Sequence, residues 1–191
     1  MELIRKYFDK YMKQSEKDWK TVSSLFRKQE FPKGYILLHT GQTENYLSFL
    51  NKGIVRFFIS KEDNDLTFDF AFENNFFSGY SSFLTRNPSV YQIEALTQIE
   101  VWQLSYHDLQ KVYNETDIGN FIGRQAGEEL FLKKSKRELS FLNETAEERY
   151  LNLFTEQPNL LQKIPLKYIA SYIGITPQAL SRIRKRNLFT K

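Results

Sequence analysis

The stretch Leu166–Asn187, LKYIASYIGITPQALSRIRKRN, constrains this chain more than any other. Apolar residues fall at Ile169, Ile173, Ile175, Leu180 and Ile183, with the small Ala170 in the first run and Gly174 between the two. That spacing predicts two short helices joined by a tight turn, a helix-turn-helix. Ile169 and Ile173 share one face of the first helix, and Ala170 lets the second helix cross closely. Gly174 supplies the backbone freedom of the turn, Ile175 plugs it, and Leu180 and Ile183 anchor the second helix. Thr176 is a favoured N-cap and Pro177 a favoured first helical residue.

The polar face of the second helix carries the chemistry. Gln178 and Arg182, four residues apart, share it, with Ser181 and Lys185 beside them. Glutamine pairs bidentately with adenine, and arginine with guanine O6 and N7. Arg184, Lys185 and Arg186 are expected on phosphates, contacts that position without specifying. The helix N-terminus at Thr176 can receive a further phosphate. Residues 161–191 hold seven basic side chains (Lys163, Lys167, Arg182, Arg184, Lys185, Arg186, Lys191) and no Asp or Glu. The whole chain has 27 basic and 23 acidic residues, so the first 160 carry 20 and 23, a net of −3. The positive field therefore belongs to the C-terminal stretch, and it favours a polyanion through counterion release. Double-stranded DNA is the expected partner.

Upstream, the periodicity divides the chain. Residues 1–28 read as helix: Leu3, Ile4, Tyr7, Phe8 and Tyr11 follow an amphipathic rhythm, and a second helix from Glu16 to Arg27 has Ser15 as its cap. From Phe31 short apolar or alternating runs take over, at Tyr35–His39, Leu47–Asn51, Gly53–Ile59, Leu66–Phe72, Val90–Ala95 and Val101–Leu104. Turn residues break them, among them Asn51-Lys52-Gly53 and Lys61–Asp65. Many short strands at close spacing predict an antiparallel barrel or double-sheet roll, with Ser78–Thr85 a short helical turn inside it. Ser105 caps a helix through Tyr113, and a long helix is expected from Glu115 to about Phe141. A helix too long for its own domain often pairs with a copy of itself. Gly119, Gly123 and Gly127 recur on one of its faces, a costly choice in a helix interior. Either another backbone approaches there, from the roll or a partner helix, or tertiary packing alone fixes the helix. A further helix starts near Asn143 and ends before Pro158.

The fold class is thus α+β: an N-terminal double-stranded, jelly-roll-like β-roll, a long dimerisation helix and a C-terminal helix-turn-helix domain. The expected boundaries are residues 1–113 for the effector-type roll with flanking helices, 114–141 for the dimerisation helix and 142–191 for the DNA-binding domain. The chain has no cysteine, which excludes disulfides, zinc fingers, cysteine-held clusters and cysteine nucleophiles. Its two histidines, His39 and His107, are far apart in sequence, so no metal and no cofactor are expected. A cupin-type enzyme would need clustered histidines on the roll, which excludes that activity. No run of 18 apolar residues occurs, and the N-terminus MELIRKYFDKYMKQSEKDWK is too charged for a secretory signal. A cytoplasmic protein without membrane contact is expected.

The chain resembles the Crp/Fnr family of bacterial regulators over nearly its whole length. FPKGYILLHTGQTENYLSFLNKGIVRFF looks like the opening strands of that family's cyclic-nucleotide-binding roll, with Gly34, Gly41 and Gly53 at its turn glycines. The order of roll, long helix and helix-turn-helix is similar too. The resemblance implies a homodimeric transcription regulator on a near-palindromic operator, with RNA polymerase as a further partner. The family's nucleotide cassette corresponds here to GYSSFLTRNPSVYQIEAL. Gly79, Pro88 and Ala95 align, but Tyr80 stands where the ribose-binding Glu would be and Ser89 where the phosphate-binding Arg would be. A buried cyclic phosphate requires a charge-assisted partner, and the remaining cation of the stretch is Arg86. Control by cyclic AMP is therefore not expected. Gly79, Tyr80, Ser81, Ser89, Val90 and Tyr91 are the candidate lining of a pocket for a different small-molecule effector. The family also adds a β-hairpin wing after the recognition helix; the chain stops at Lys191, so phosphate contacts from a wing are expected to be missing. The competing reading is a small-ligand-binding roll that acts through protein contacts without DNA, against which the absent Arg and Glu speak.

Overall fold

The computed structural model describes residues 1–62 and 64–188. Asp63 in the Lys61–Asp65 break and Lys191 in the basic stretch lie outside the described residues. The chain forms two compact units, residues 1–58 with 69–129, and residues 59–68 with 130–191.

The first unit opens with α1 (Glu2–Asp9) and α2 (Glu16–Leu25), and Ser15 Oγ caps the latter by accepting from Asp18 N at 3.0 Å. The strands follow: β1 (Arg27–Phe31), β2 (Ile36–Leu38), β3 (Tyr46–Lys52), β4 (Ile54–Ile59), β5 (Leu66–Phe72) and β6 (Asn75–Phe77). Then come α3 (Tyr80–Thr85), β7 (Gln92–Ala95), β8 (Ile99–Ser105), α4 (Tyr106–Glu115) and the long α5 (Gly119–Asn143). Two four-stranded sheets result, in the orders β1-β8-β3-β6 and β2-β7-β4-β5. β8 lies antiparallel to both β1 and β3, and β7 antiparallel to β2 and β4. This is the jelly-roll-like double sheet that the strand spacing predicts.

Strand alternation decides what each sheet face does. Phe49 of β3 joins Ile4, Val22, Phe26, Phe83, Leu104, Leu109 and Val112 in a core between the helices and the first sheet. Its ring meets Phe76 edge-on at 5.0 Å. A fully buried phenylalanine stabilises by about 1.5–3 kcal/mol. Leu50, also fully buried, points to the opposite face. β1 and β6 have no counterpart among the expected strands. Arg27–Phe31 reads RKQEF, nearly all exposed, and it is a strand because β8 pairs with it from Arg27–Gln103 to Phe31–Ile99. Its charged side chains suit a sheet edge.

The long helix begins at Gly119, four residues after the expected Glu115. Thr116 is extended and its hydroxyl donates to Val112 O at 2.6 Å, which ends α4 and separates the two helices. The glycine stripe then divides. A Cβ on Gly119 would sit 2.4 Å from Val112 O, and one on Gly123 would sit 2.9 Å from the Tyr113 ring. Close approach by α4 explains both. Gly127 has nothing within 4 Å. Replacing Gly123 by leucine pushes a side chain into Tyr113 and is expected to destabilise this unit by about 1–3 kcal/mol. Urea unfolding checks it; an unchanged midpoint would mean that Tyr113 moves aside without cost.

The second unit holds the tip of the β4–β5 hairpin, the last turns of α5, α6 (Ala146–Glu156), α7 (Pro158–Lys163), α8 (Leu166–Tyr172) and α9 (Pro177–Leu188). α6 starts with a capping box: Glu148 N donates to Thr145 Oγ1 at 3.2 Å, and Thr145 N donates to Glu148 Oε2 at 2.7 Å. Tyr150, Leu153, Leu160, Ile164, Ile169, Ala170, Ile173, Leu180 and Ile183 are buried in this unit. Among the described residues, no helix is long and apolar enough to cross a membrane.

Candidate nucleic-acid interface and roll pocket

The α8–α9 pair is assembled by the residues that its spacing singles out. Ile169, Ala170 and Ile173 of the first run and Leu180 and Ile183 of the second are all buried. Between the helices Gly174 adopts φ +80°, the left-handed region that favours glycine. The turn is closed by Gly174 N donating to Ser171 O at 3.0 Å and Ile175 N to Ala170 O at 2.9 Å. Ala179 N donates to Thr176 Oγ1 at 3.2 Å, so Thr176 is the N-cap, and Pro177 opens α9.

Burying Leu180 and Ile183 turns the opposite side of α9 outward. Gln178, Ser181, Arg182 and Lys185 are exposed, and Gln178, Arg182 and Lys185 follow i, i+4, i+7 spacing on one face. Arg184 is half-buried. Arg186 Nη2 lies 2.8 Å from Glu147 Oε2 of α6, so its guanidinium also serves to tie α9 to α6.

Beneath the turn lies a brace that the sequence does not mark. Arg137 on α5 donates to Tyr172 O at 2.8 Å, and Arg149 on α6 donates to Ile173 O at 3.0 Å and to Glu144 O. The Tyr172 and Ile173 carbonyls belong to the C-terminal end of α8, where cations are favoured. The two guanidiniums lie 4.7 and 4.5 Å from the centre of the Phe141 ring. That ring fills the space a Cβ on Gly174 would need, 2.8 Å from its Cε1. Nothing in the helical periodicity marks Arg137 or Arg149, which look like ordinary polar-face residues.

The cassette region of the roll is closed on itself. Glu44 is buried, and its carboxylate accepts from Asn45 N and Tyr46 N at 2.9 Å and from Gly79 N at 3.1 Å. Burial raises its carboxyl above the usual range, against the pull of those three N–H groups. Ser89 is buried in the loop before β7; its Oγ donates to Tyr91 O at 2.8 Å, and its N donates to Gln42 O at 2.8 Å. Burial raises the pKa of the Tyr91 phenol, against the opposing pull of Ser81 and the Tyr80 backbone. Arg86 points elsewhere: it donates to Glu44 O at 2.7 Å and Phe83 O at 3.1 Å, and lies over the Tyr106 ring at 4.4 Å. Val90 is 73 % exposed because it precedes the strand, which starts only at Gln92. The Tyr80 ring stacks near Phe83, against the helical core.

Comparison with known proteins agrees with this architecture. Residues 28–116 match the family described as cyclic nucleotide-binding domain. No curated protein matches the chain by sequence. Solved structures share its fold. A protein from Eubacterium rectale assigned to the crp/fnr family of transcriptional regulators has a TM-score of 0.72 at 16 % identity, over 95 % of this chain and 87 % of that one. A CooA mutant from Carboxydothermus hydrogenoformans gives 0.68 at 18 %, over 86 % and 77 %. The c-di-GMP responsive global regulator CLP of Xanthomonas campestris gives 0.68 at 15 %, over 91 % and 92 %.

Proposed function

We propose that this chain is a homodimeric DNA-binding transcription regulator of the Crp/Fnr type whose effector is not cyclic AMP. The observation that carries the reading is the outer face of α9. Gln178, Arg182 and Lys185 stand exposed on one side of a helix whose other side is anchored by Leu180 and Ile183. In a helix-turn-helix, that second helix enters the major groove while the first crosses the backbone. The absence of acidic residues from 161 onward keeps the approach to phosphate favourable.

The roll supports the second half of the reading. A nucleotide phosphate would need a cation and free N–H donors. Ser89 Oγ is spent on Tyr91 O, Arg86 is spent on carbonyls, and Gly79 N already donates to the Glu44 carboxylate. The chain's own side chains satisfy the polar groups of the cassette.

Selection of bound sequences from random duplex DNA, repeated at several salt concentrations, tests the reading. Two half-sites about 34 Å apart are expected. Arg182→Ala is expected to weaken binding to the selected site by about 1–3 kcal/mol and to relax the preference at one base pair. Equal binding by Arg182→Ala would remove the base-reading role of that residue.

A further inference from the structure

The tip of the β4–β5 hairpin is fastened to the first of the two paired helices. Ser171, one turn before Gly174 on α8, accepts from Thr67 N at 2.8 Å and donates to Asp65 O at 2.8 Å. One hydroxyl thus engages a backbone donor and a backbone acceptor more than a hundred residues away in sequence. Thr67 is fully buried, and Lys134 of α5 lies 5.6 Å from the centre of the Phe68 ring. Residues 59–68 belong to the compact unit that contains α8 and α9, although β4 and β5 continue into the roll.

The charge of this tip is opposite to that of its seat. Residues 59–68 carry Lys61 against Glu62, Asp63 and Asp65, one base and three acids, a net of −2. Of these acids, the described Glu62 and Asp65 therefore accompany the acid-free stretch from 161 onward in space. In a helix-turn-helix the first helix is the one that crosses the phosphate backbone. Charges act on one another over about a Debye length, about 10 Å at 0.1 M salt, so negative charge on its flank would oppose phosphates that approach that helix.

We propose that the hairpin tip is a built-in restraint on DNA binding, held on α8 by Ser171 so that its acidic residues oppose the phosphate backbone. The inference rests on the DNA-binding reading above. Glu62 is exposed and Asp65 offers α8 its backbone carbonyl, so Glu62→Gln with Asp65→Asn removes charge and keeps the seat. Ser171→Ala removes the seat and keeps the charge.

The test compares the parent, the double variant and Ser171→Ala on the selected operator by fluorescence anisotropy, with amide hydrogen exchange at Thr67. Both variants are expected to bind about three- to tenfold more tightly at about 50 mM salt, and the advantage of the double variant should shrink by about 200 mM. Thr67 N should lose protection in Ser171→Ala and keep it in the double variant. A double variant that binds no more tightly than the parent overturns the restraint. Weaker binding by Ser171→Ala overturns it too, and would make Ser171 a phosphate contact. Retained Thr67 protection in Ser171→Ala overturns the serine's role as fastener. A parent that binds no duplex fails at the earlier step, and removes the DNA reading together with this one.

Discussion

Replacing Leu139 and Leu142 by glutamate is expected to leave the protein monomeric at micromolar concentration. Leu132, Leu139 and Leu142 are 65, 54 and 74 % exposed in the single chain, and Phe131 beside Leu132 is 70 % exposed on the same helix. With half-buried Ser135 they follow a 3-4-3 spacing, the seam of a left-handed helix pair. Exposed leucines in such a row mark an interaction surface. Burying one leucine contributes about 1.5–3 kcal/mol, and a symmetric pair buries each position twice. Losing both positions in both copies removes on the order of 6–12 kcal/mol of gross burial, which then no longer offsets the entropy cost of association. Sedimentation or light scattering across a dilution series reads the outcome. A double variant that dimerises as the parent does would place the interface elsewhere.

Gly174→Ala is expected to destabilise the C-terminal unit by about 2–4 kcal/mol, from left-handed strain and overpacking together. The position has φ +80°, and the added methyl would meet Phe141 at 2.8 Å. Relief by moving the ring is opposed because Arg137 and Arg149 flank it. Denaturation followed separately in the two units should show the loss in residues 130–191 and leave the roll's transition in place. Adding Phe141→Ala separates the causes: the double variant should recover the steric part and keep the backbone strain. If Phe141→Ala recovers nothing, the ring is not what Gly174 accommodates.

The parts legible in sequence are those governed by local periodicity and caps. Thr176, Pro177 and the apolar positions of α8 and α9 are set by contacts a few residues apart, and they stand where the spacing puts them. Ser15 and Ser105 cap their helices for the same reason. The strand Arg27–Phe31 was hidden because its charged residues take their conformation from β8, more than seventy residues away. The start of α5 was missed because the break at Thr116 depends on a side-chain bond to Val112 O, and threonine is common in helices and strands alike. In the roll pocket, motif alignment places residues in order along the chain but says nothing of their direction. Val90 thus faces solvent while its neighbours Ser89 and Tyr91 turn inward. The link from Ser171 to the hairpin leaves no trace in either segment read alone.

On the DNA-binding reading proposed above, the brace beneath the turn has a bearing on operator geometry. Arg137 and Phe141 stand on the same final turns of α5 that carry Leu139 and Leu142, and they grip the C-terminal end of α8 directly. Two chains joined along those leucines would therefore hold their reading helices at a separation set by rigid parts, with no slack linker to absorb error. Such a caliper tolerates little change in the spacer between half-sites, since one extra base pair rotates a half-site by about 34° around the duplex.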